Sequence, residues 1–298
     1  METIHKSVLY KEVLEKLAIK PGQVYIDATL GGGGHTRGIL EKKAKVLAID
    51  IDSQVLKNAA KEFSLKLSTQ DDTLFASSDK LTIVQGNFAN IQKIAHQFRV
   101  WEAPGVLFDL GLSSDQLQDE KRGFSFSKGG PLDMRMSPTL QVTAADLVSG
   151  LNERELYDLF TKYGEERSSR RIARAIVTAR VERKIETTFD LVSVIEGVVP
   201  RKEKIHPATR VFQALRIVVN DELNNLKKGL EGAASLLKKD GRIVVISFHS
   251  LEDRIVKRFF KEQSGLKALT QKPITPGEEE ILENPRARSA KMRVAVRM

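Results

Sequence analysis

Apolar residues in the first 110 positions fall into two alternating patterns. Val8, Leu9, Val13, Leu14 and Leu17 recur at helical spacing, and that segment ends before Pro21-Gly22. Val24-Tyr25-Ile26-Asp27-Ala28 is a short apolar run stopping at glycines, which predicts a strand. The alternation continues with a helix over Arg37 to Lys43, a strand over Lys45 to Asp50, and a helix over Ser53 to Phe63 with Ser53 as N-cap. Strands follow at Leu81 to Val84 and Gly105 to Asp109, and the polar stretch Ser68 to Lys80 reads as a surface loop. Apolar strands separated by helices predict a parallel sheet covered on both faces.

The pattern changes after Pro138. Residues 143 to 199 are helical in spacing, with Ile172, Ala173, Ile176, Val177 and Val181 marking one apolar stripe. The opposite face is basic: Arg167, Arg170, Arg171, Arg174, Arg180, Arg183 and Lys184. Strand signals return at Arg242 to Ser247 and Met292 to Val296. The expected organisation is therefore one discontinuous α/β domain, 1–138 with 207–298, interrupted by an all-helical insert at 139–206.

A chain of 298 residues accommodates this two-part plan. The absence of cysteine excludes disulfides, thiolate catalysis and cysteine-based metal sites, and the five histidines show no ligand spacing, so no metal is expected. No apolar run approaches a membrane span, and the first ten residues lack the apolar core of a secretory signal, so a cytoplasmic protein is expected. The formal net charge of +9 favours a polyanionic partner, although charge alone does not separate this from a generic basic surface.

Ligands of open parallel sheets sit at the carboxyl ends of the strands, where strand order reverses. The first strand runs into Asp27-Ala28-Thr29-Leu30-Gly31-Gly32-Gly33-Gly34-His35, a glycine turn leading to a helix N-terminus suited to an anion. The dinucleotide fingerprint G-x-G-x-x-G fails, because its third glycine would fall on Thr36 or Arg37. Asp27-x-Thr29-x-Gly31-x-Gly33 instead resembles the first motif of S-adenosylmethionine (SAM) methyltransferases, with Thr29 in place of the usual glycine. Asp50, ending the second strand, suits two ribose hydroxyls; Asp52 fits a supporting or capping role. Phe88 follows the third strand and is either an adenine contact or a core residue. Asp109 ends the fourth strand, where the acceptor of a transferred methyl must lie; a structural aspartate capping the loop is the other reading.

Longer motifs carry a family resemblance. Thr29 to His35, Asp109-Leu110-Gly111-Leu112-Ser113-Ser114, Arg122-Gly123-Phe124-Ser125-Phe126, Gly130 to Met136, Tyr163-Gly164-Glu165-Glu166-Arg167, His206-Pro207-Ala208-Thr209-Arg210, Ser247 to Arg254 and Asn284 to Ser289 resemble the ribosomal RNA small subunit methyltransferase H (MraW) family. The likeness runs from about His5 to the C-terminus, and Ser68 to Lys80 looks longer than in most members. It implies a class I SAM-dependent, Rossmann-like sheet and methylation of N4 of a cytidine, position 1402, in the decoding centre of 16S rRNA, with the small ribosomal subunit as partner. It also implies cofactor contacts at Gly33, Gly34, His35, Asp50, Phe88, Asp109 and Gln116; His35 and Gln116 enter through the resemblance only.

For the chemistry, Asp109 is the best candidate acceptor of the amino proton. The (Asp/Asn/Ser)-Pro-Pro-(Tyr/Phe) motif of many amino methyltransferases is missing here, which leaves the base-stacking residue open among Phe124, Phe126 and Phe248. His249 is a second proton-acceptor candidate, a phosphate contact or a hydrogen-bonded structural histidine. Asp133 and Arg135 are expected to pair and order the substrate loop. His206 and Arg210 are read as hinge or RNA contacts where the insert rejoins the sheet. Arg167, Arg170, Arg171, Arg174 and Arg210 are the candidate phosphate grips. The competing readings are a nicotinamide dehydrogenase, disfavoured by the failed fingerprint, and a non-catalytic SAM-binding RNA-binding or assembly factor. The oligomeric state stays open, a homodimer included.

Overall fold

The computed structural model describes residues 7–70, 73–127, 129–200 and 206–298, without the side chain of residue 114. In chain order the elements are α1 (Tyr10–Lys16), β1 (Val24–Asp27), α2 (Gly34–Glu41), β2 (Lys45–Asp50), α3 (Ser53–Glu62), β3 (Leu67–Gln70), β4 (Thr73–Ser77), β5 (Leu81–Gln85), α4 (Ile91–Gln97) and β6 (Ala103–Asp109). Next come six helices, α5 (Ser114–Gln118), α6 (Ala144–Gly150), α7 (Glu153–Gly164), α8 (Ser169–Glu182), α9 (Thr188–Val198) and α10 (Ala208–Val219). The chain closes with α11 (Glu222–Leu236), β7 (Leu237–Ser247), α12 (Ser250–Glu262), β8 (Leu266–Ala268), α13 (Glu278–Glu283) and β9 (Lys291–Arg297). Two compact units result: 1–112 with 223–298, and 113–222.

The first unit holds one nine-stranded sheet in the order β3-β4-β5-β2-β1-β6-β7-β9-β8. Its centre, β5-β2-β1-β6-β7, is parallel, and antiparallel strands extend both edges. Side chains alternate between two cores, as the period of two requires. Leu47, Ile49, Val106 and Phe108 face one core with α4, α11 and α12. Val46, Ala48 and Leu107 face the other with α1, α2 and α3. Strand order reverses between β1 and β6, so Asp27 and Asp109 end the two strands flanking the reversal, with Asp50 on the next strand over. This is the α/β, Rossmann-like sheet expected from the sequence.

Two local expectations are corrected. Ser53 is not the cap of α3: Asp52 takes that position, its carboxylate accepting the Gln54 N–H at 2.9 Å. The stretch Ser68 to Lys80 is not a loop throughout, because β3 and β4 form an antiparallel hairpin beside β5, with 71–72 outside the described residues. Phe75 of that hairpin packs on Phe98 with ring centroids 5.5 Å apart.

In the second unit, α6 to α9 are helical as expected, and three of them open on capping boxes: Thr143 with Asp146, Asn152 with Glu155, and Thr187 with Asp190. On α8 the apolar stripe is shorter than expected: Ile172, Ala173 and Ile176 are buried, but Val181 is 83% exposed because the helix ends beyond its packed face. The borders also differ. The expected insert, 139–206, lies inside a unit running from 113 to 222. The segment from 113 to 142 belongs there because its backbone is tied down within that unit: the Arg122 guanidinium donates to the Arg135 and Met136 carbonyls, and Asn220 exchanges hydrogen bonds with Met134 and Met136. His206 and Arg210, read as hinge or RNA contacts, sit just before and in the first turn of α10 within this unit.

Candidate functional site

The strand ends of the first unit build a connected polar site. After β1 the chain turns tightly, Gly33 N–H donating to the Leu30 carbonyl at 2.8 Å, while Leu30 N–H is held by the Ile49 carbonyl of β2. Gly31 (φ 50°) and Gly33 (φ 72°) occupy the left-handed region, which L side chains rarely adopt. Gly34 begins α2 against the Ser7 side chain, and a Cβ there would collide with the hydroxyl. The first turn of α2 therefore presents its N–H groups beside a turn whose glycines carry no side chains of their own.

Asp50 locks that turn in place. One of its oxygens accepts the Gly31 N–H at 3.0 Å and the other the Asp52 N–H at 3.0 Å, and the Ile51 N–H adds a third backbone hydrogen bond, which leaves the carboxylate acceptor capacity for a hydroxyl. Burial pushes its carboxyl up to about 6, against the hydrogen bonds that favour the ionised form.

Asp27 is 1% exposed and was not among the expected site residues. It accepts the Thr36 hydroxyl at 2.7 Å and the Thr29 N–H at 3.2 Å, and burial again raises its carboxyl to about 6. Thr29, the departure from the usual glycine, accepts the Asp109 N–H on its hydroxyl at 2.7 Å. The β1 and β6 ends are thus pinned to each other by a side chain that glycine lacks. The spacing Asp27-x-Thr29 signals the aspartate's local turn; the Thr29 bond spans 80 residues and leaves no local trace.

Asp109 is the focal point. One carboxylate oxygen, Oδ1, is buried without a hydrogen-bond partner among the described residues; the other lies 3.4 Å from Nε2 of His35. His35 is 5% exposed, lies nearly parallel to Tyr10 at 6.1 Å, and has no hydrogen-bond partner on either ring nitrogen among the described residues. Unsatisfied buried polar atoms are costly and mark places built for a ligand. Beyond Asp109 the chain turns through Gly111 (φ 106°), on which Phe248 packs; a Cβ there would meet the ring at 3.3 Å. Phe88, half-buried after β5, sits edge-on to Phe108 at 5.6 Å and so serves the core with part of its ring.

His249 is the N-cap of α12. Its Nδ1 faces the Glu252 N–H at 3.4 Å, Glu252 reaches back to the His249 N–H, and Nε2 lies 3.2 Å from the Glu252 carboxylate. With Nδ1 accepting, the proton belongs on Nε2, which is buried and makes no hydrogen bond among the described residues. The capping box fits the structural reading of His249, and the Nε2 proton stays available as a donor.

In the second unit, Gln116 is buried in a capping box with Ser113 at the start of α5. Asp133 and Arg135 form the expected pair through two hydrogen bonds, 2.8 and 2.7 Å. Phe124 is 6% exposed; Phe126, half-buried, stacks on His206 (4.7 Å) and meets Phe212 edge-on (5.5 Å); and Phe248, also half-buried, packs on Gly111 and the core. Arg167, Arg170, Arg171 and Arg174 are exposed, whereas Arg210 is half-buried with Glu166 3.9 Å away. Arg180 leaves the basic face: it donates to the Val148 and Leu151 carbonyls at 2.7 and 2.6 Å, closing the end of α6.

The residues present fit a nucleoside carrying a sulfonium. Asp50 offers paired acceptors, the glycine turn and α2 offer N–H groups, and Asp109 adds an uncommitted carboxylate oxygen of the sign a cation needs.

Comparison with known proteins agrees. A model of the MraW methylase family matches residues 2–298. A protein of Carboxydothermus hydrogenoformans named ribosomal RNA small subunit methyltransferase H is 46% identical over 320 residues, covering 100% of this chain and 99% of its own. The protein of that name from Deinococcus deserti is 48% identical over 296 residues, covering 99% and 94%. From Sulfurihydrogenibium, another is 46% identical over 300 residues and covers 99% of both chains. With its whole length matched in this way, the chain belongs to the MraW methylase family and is a SAM-dependent methyltransferase.

Proposed function

We propose that this protein methylates N4 of a cytidine in the decoding centre of 16S rRNA, with the small ribosomal subunit as its partner. The unpartnered Oδ1 of Asp109, at the end of β6, carries the reading.

SAM supplies an electrophilic methyl on a positively charged sulfur. The chain's own residues do the rest. Asp50 holds the ribose hydroxyls, and the turn Gly31 to Gly34 with the α2 N-terminus receives the amino-acid end. Asp109 accepts a hydrogen bond from the cytosine amino group, draws its lone pair out of conjugation with the ring, and takes the proton that leaves on methylation. Thr29 fixes the backbone of Asp109, so the acceptor stands oriented before substrate arrives. Phe248, packed on Gly111, supplies an apolar plane beside that turn for the extruded base. The exposed arginines of α8 and its approach, Arg167, Arg170, Arg171 and Arg174, grip phosphates.

The test is transfer of labelled methyl to small subunits from cells lacking this protein, with mass spectrometry of the nucleosides. N4-methylated cytidine is the expected product. A different methylated nucleoside, or none, overturns the proposal.

A further inference from the structure

A groove of about 660 Å³ runs between α8 and α9, within the size range of ligand clefts. Arg170, Arg171 and Arg174 line one end, Glu182 the other, and Ala175, Ala179 and Val194 are among its apolar lining.

Two features along it run against helix stability. Arg170 and Arg171 occupy the first turn of α8, which contains no acidic residue, although cations are disfavoured at a helix N-terminus. Gly197, in the last turn of α9, lacks the left-handed φ of a glycine stop, and a Cβ there would meet nothing within 4 Å. No neighbour requires glycine, and glycine weakens a helix relative to alanine. Local rules broken without a structural return mark function, and here both breaches face the same groove.

We propose that this groove is a binding site for single-stranded RNA, its phosphates on the three arginines and its bases over the apolar lining. The arginines keep donors to give: Arg171 spends one on the Ser168 hydroxyl at 3.0 Å and Arg174 one on Glu153 at 3.4 Å, out of five each. Arg170 and Glu182 are twelve positions apart, about 18 Å along the helix at its usual rise, room for several nucleotides rather than one. Charge gives the site polarity. The arginine end takes phosphate, and the Glu182 carboxylate accepts hydrogen bonds from base amino groups. Planar guanidinium groups suit the faces of unstacked bases. The proposal rests on RNA being the substrate.

The experiment measures binding of a labelled, mixed-sequence oligoribonucleotide to the full-length protein by fluorescence anisotropy across a salt series. S-adenosylhomocysteine affinity and circular dichroism serve as controls for folding. Arg170→Ala with Arg174→Ala should weaken binding at least about tenfold near 0.1 M salt and flatten the logarithmic salt slope by about 1.4, at about 0.7 for each phosphate no longer neutralised. Gly197→Leu, which fills the groove, should weaken binding with the slope unchanged, and Gly197→Ala should bind nearly as the parent does. The proposal is overturned if Gly197→Leu binds like the parent, if the double variant keeps its slope, if polyglutamate competes as well as RNA, or if the parent binds no oligoribonucleotide. Subunit methylation by the parent protein separates the two readings. Its presence with unaffected groove variants removes the groove alone, and its absence removes the proposed substrate.

Discussion

Replacing Asp50 by asparagine changes one carboxylate oxygen to an amino group and leaves volume and shape nearly constant. Both oxygens of Asp50 accept backbone N–H groups, from Gly31 and Asp52, each at 3.0 Å. Whichever way an asparagine is turned, its amino group faces one of those donors. The mispaired backbone donor is common to the free and bound protein and lowers stability; binding loses the ribose hydrogen bond to a charged acceptor, about 1.5–3 kcal/mol. At 1.4 kcal/mol per tenfold, S-adenosylhomocysteine should bind roughly 10–100-fold more weakly. Asp27→Asn is the matched control, since its carboxyl is raised to the same value of about 6. One of its partners is the Thr36 hydroxyl, which can reverse from donor to acceptor, so the asparagine is accommodated and affinity should stay within about threefold of the parent. Isothermal titration calorimetry near neutral pH reads both. Equal affinities for Asp50→Asn and the parent would refute the assignment of Asp50 as the anchor of turn and ribose.

Stability should vary with pH through the same two acids. Burial raises Asp27 and Asp50 from 3.8 to about 6. Between these values the folded protein binds more protons than the unfolded chain, so stability falls as pH rises from about 4 to 6 and then levels, by an amount on the order of 2–3 kcal/mol per group. Denaturant titrations should show about half that slope in Asp27→Asn; an undiminished slope contradicts the assignment. Asp109→Ala should lower kcat for methylation by roughly 100-fold or more while RNA affinity holds, the signature of a lost proton acceptor; full activity removes Asp109 from the chemistry. His249→Ala should cost about 1 kcal/mol of stability and His249→Asn, a good N-cap, much less, both retaining activity. A 100-fold loss of kcat in His249→Asn at unchanged Tm would show that the ring acts on substrate after all.

The parallel strands were legible because buried strands read as uninterrupted apolar runs, and β2 matches its expected limits, Lys45 to Asp50, at both ends. The hairpin of β3 and β4 was not, since most of its residues are half-exposed or exposed, and what holds it is pairing with β5 and the packing of Phe75 on Phe98. The limits of the second unit escaped for the same reason. Pro138 and Pro207 punctuate the chain, but the bonds from Asn220 to Met134 and Met136 reach across 86 and 84 positions. At the site, aspartates at strand ends were readable from position. The hydroxyl of Thr29 on the backbone of Asp109 was not, and the pattern of three glycine-like positions made that residue look like a defect rather than a clamp. His35 entered only through family resemblance, yet its two unpartnered ring nitrogens beside Asp109 single it out once the fold is known.

A crystal structure with S-adenosylhomocysteine tests the central claim most directly. The ribose hydroxyls should lie within hydrogen-bonding distance of the Asp50 carboxylate, with the homocysteine end at the Gly31–Gly34 turn and its sulfur on the Asp109 side. Clear density for the nucleoside anywhere else, with Asp50 bound only to backbone donors, would contradict it.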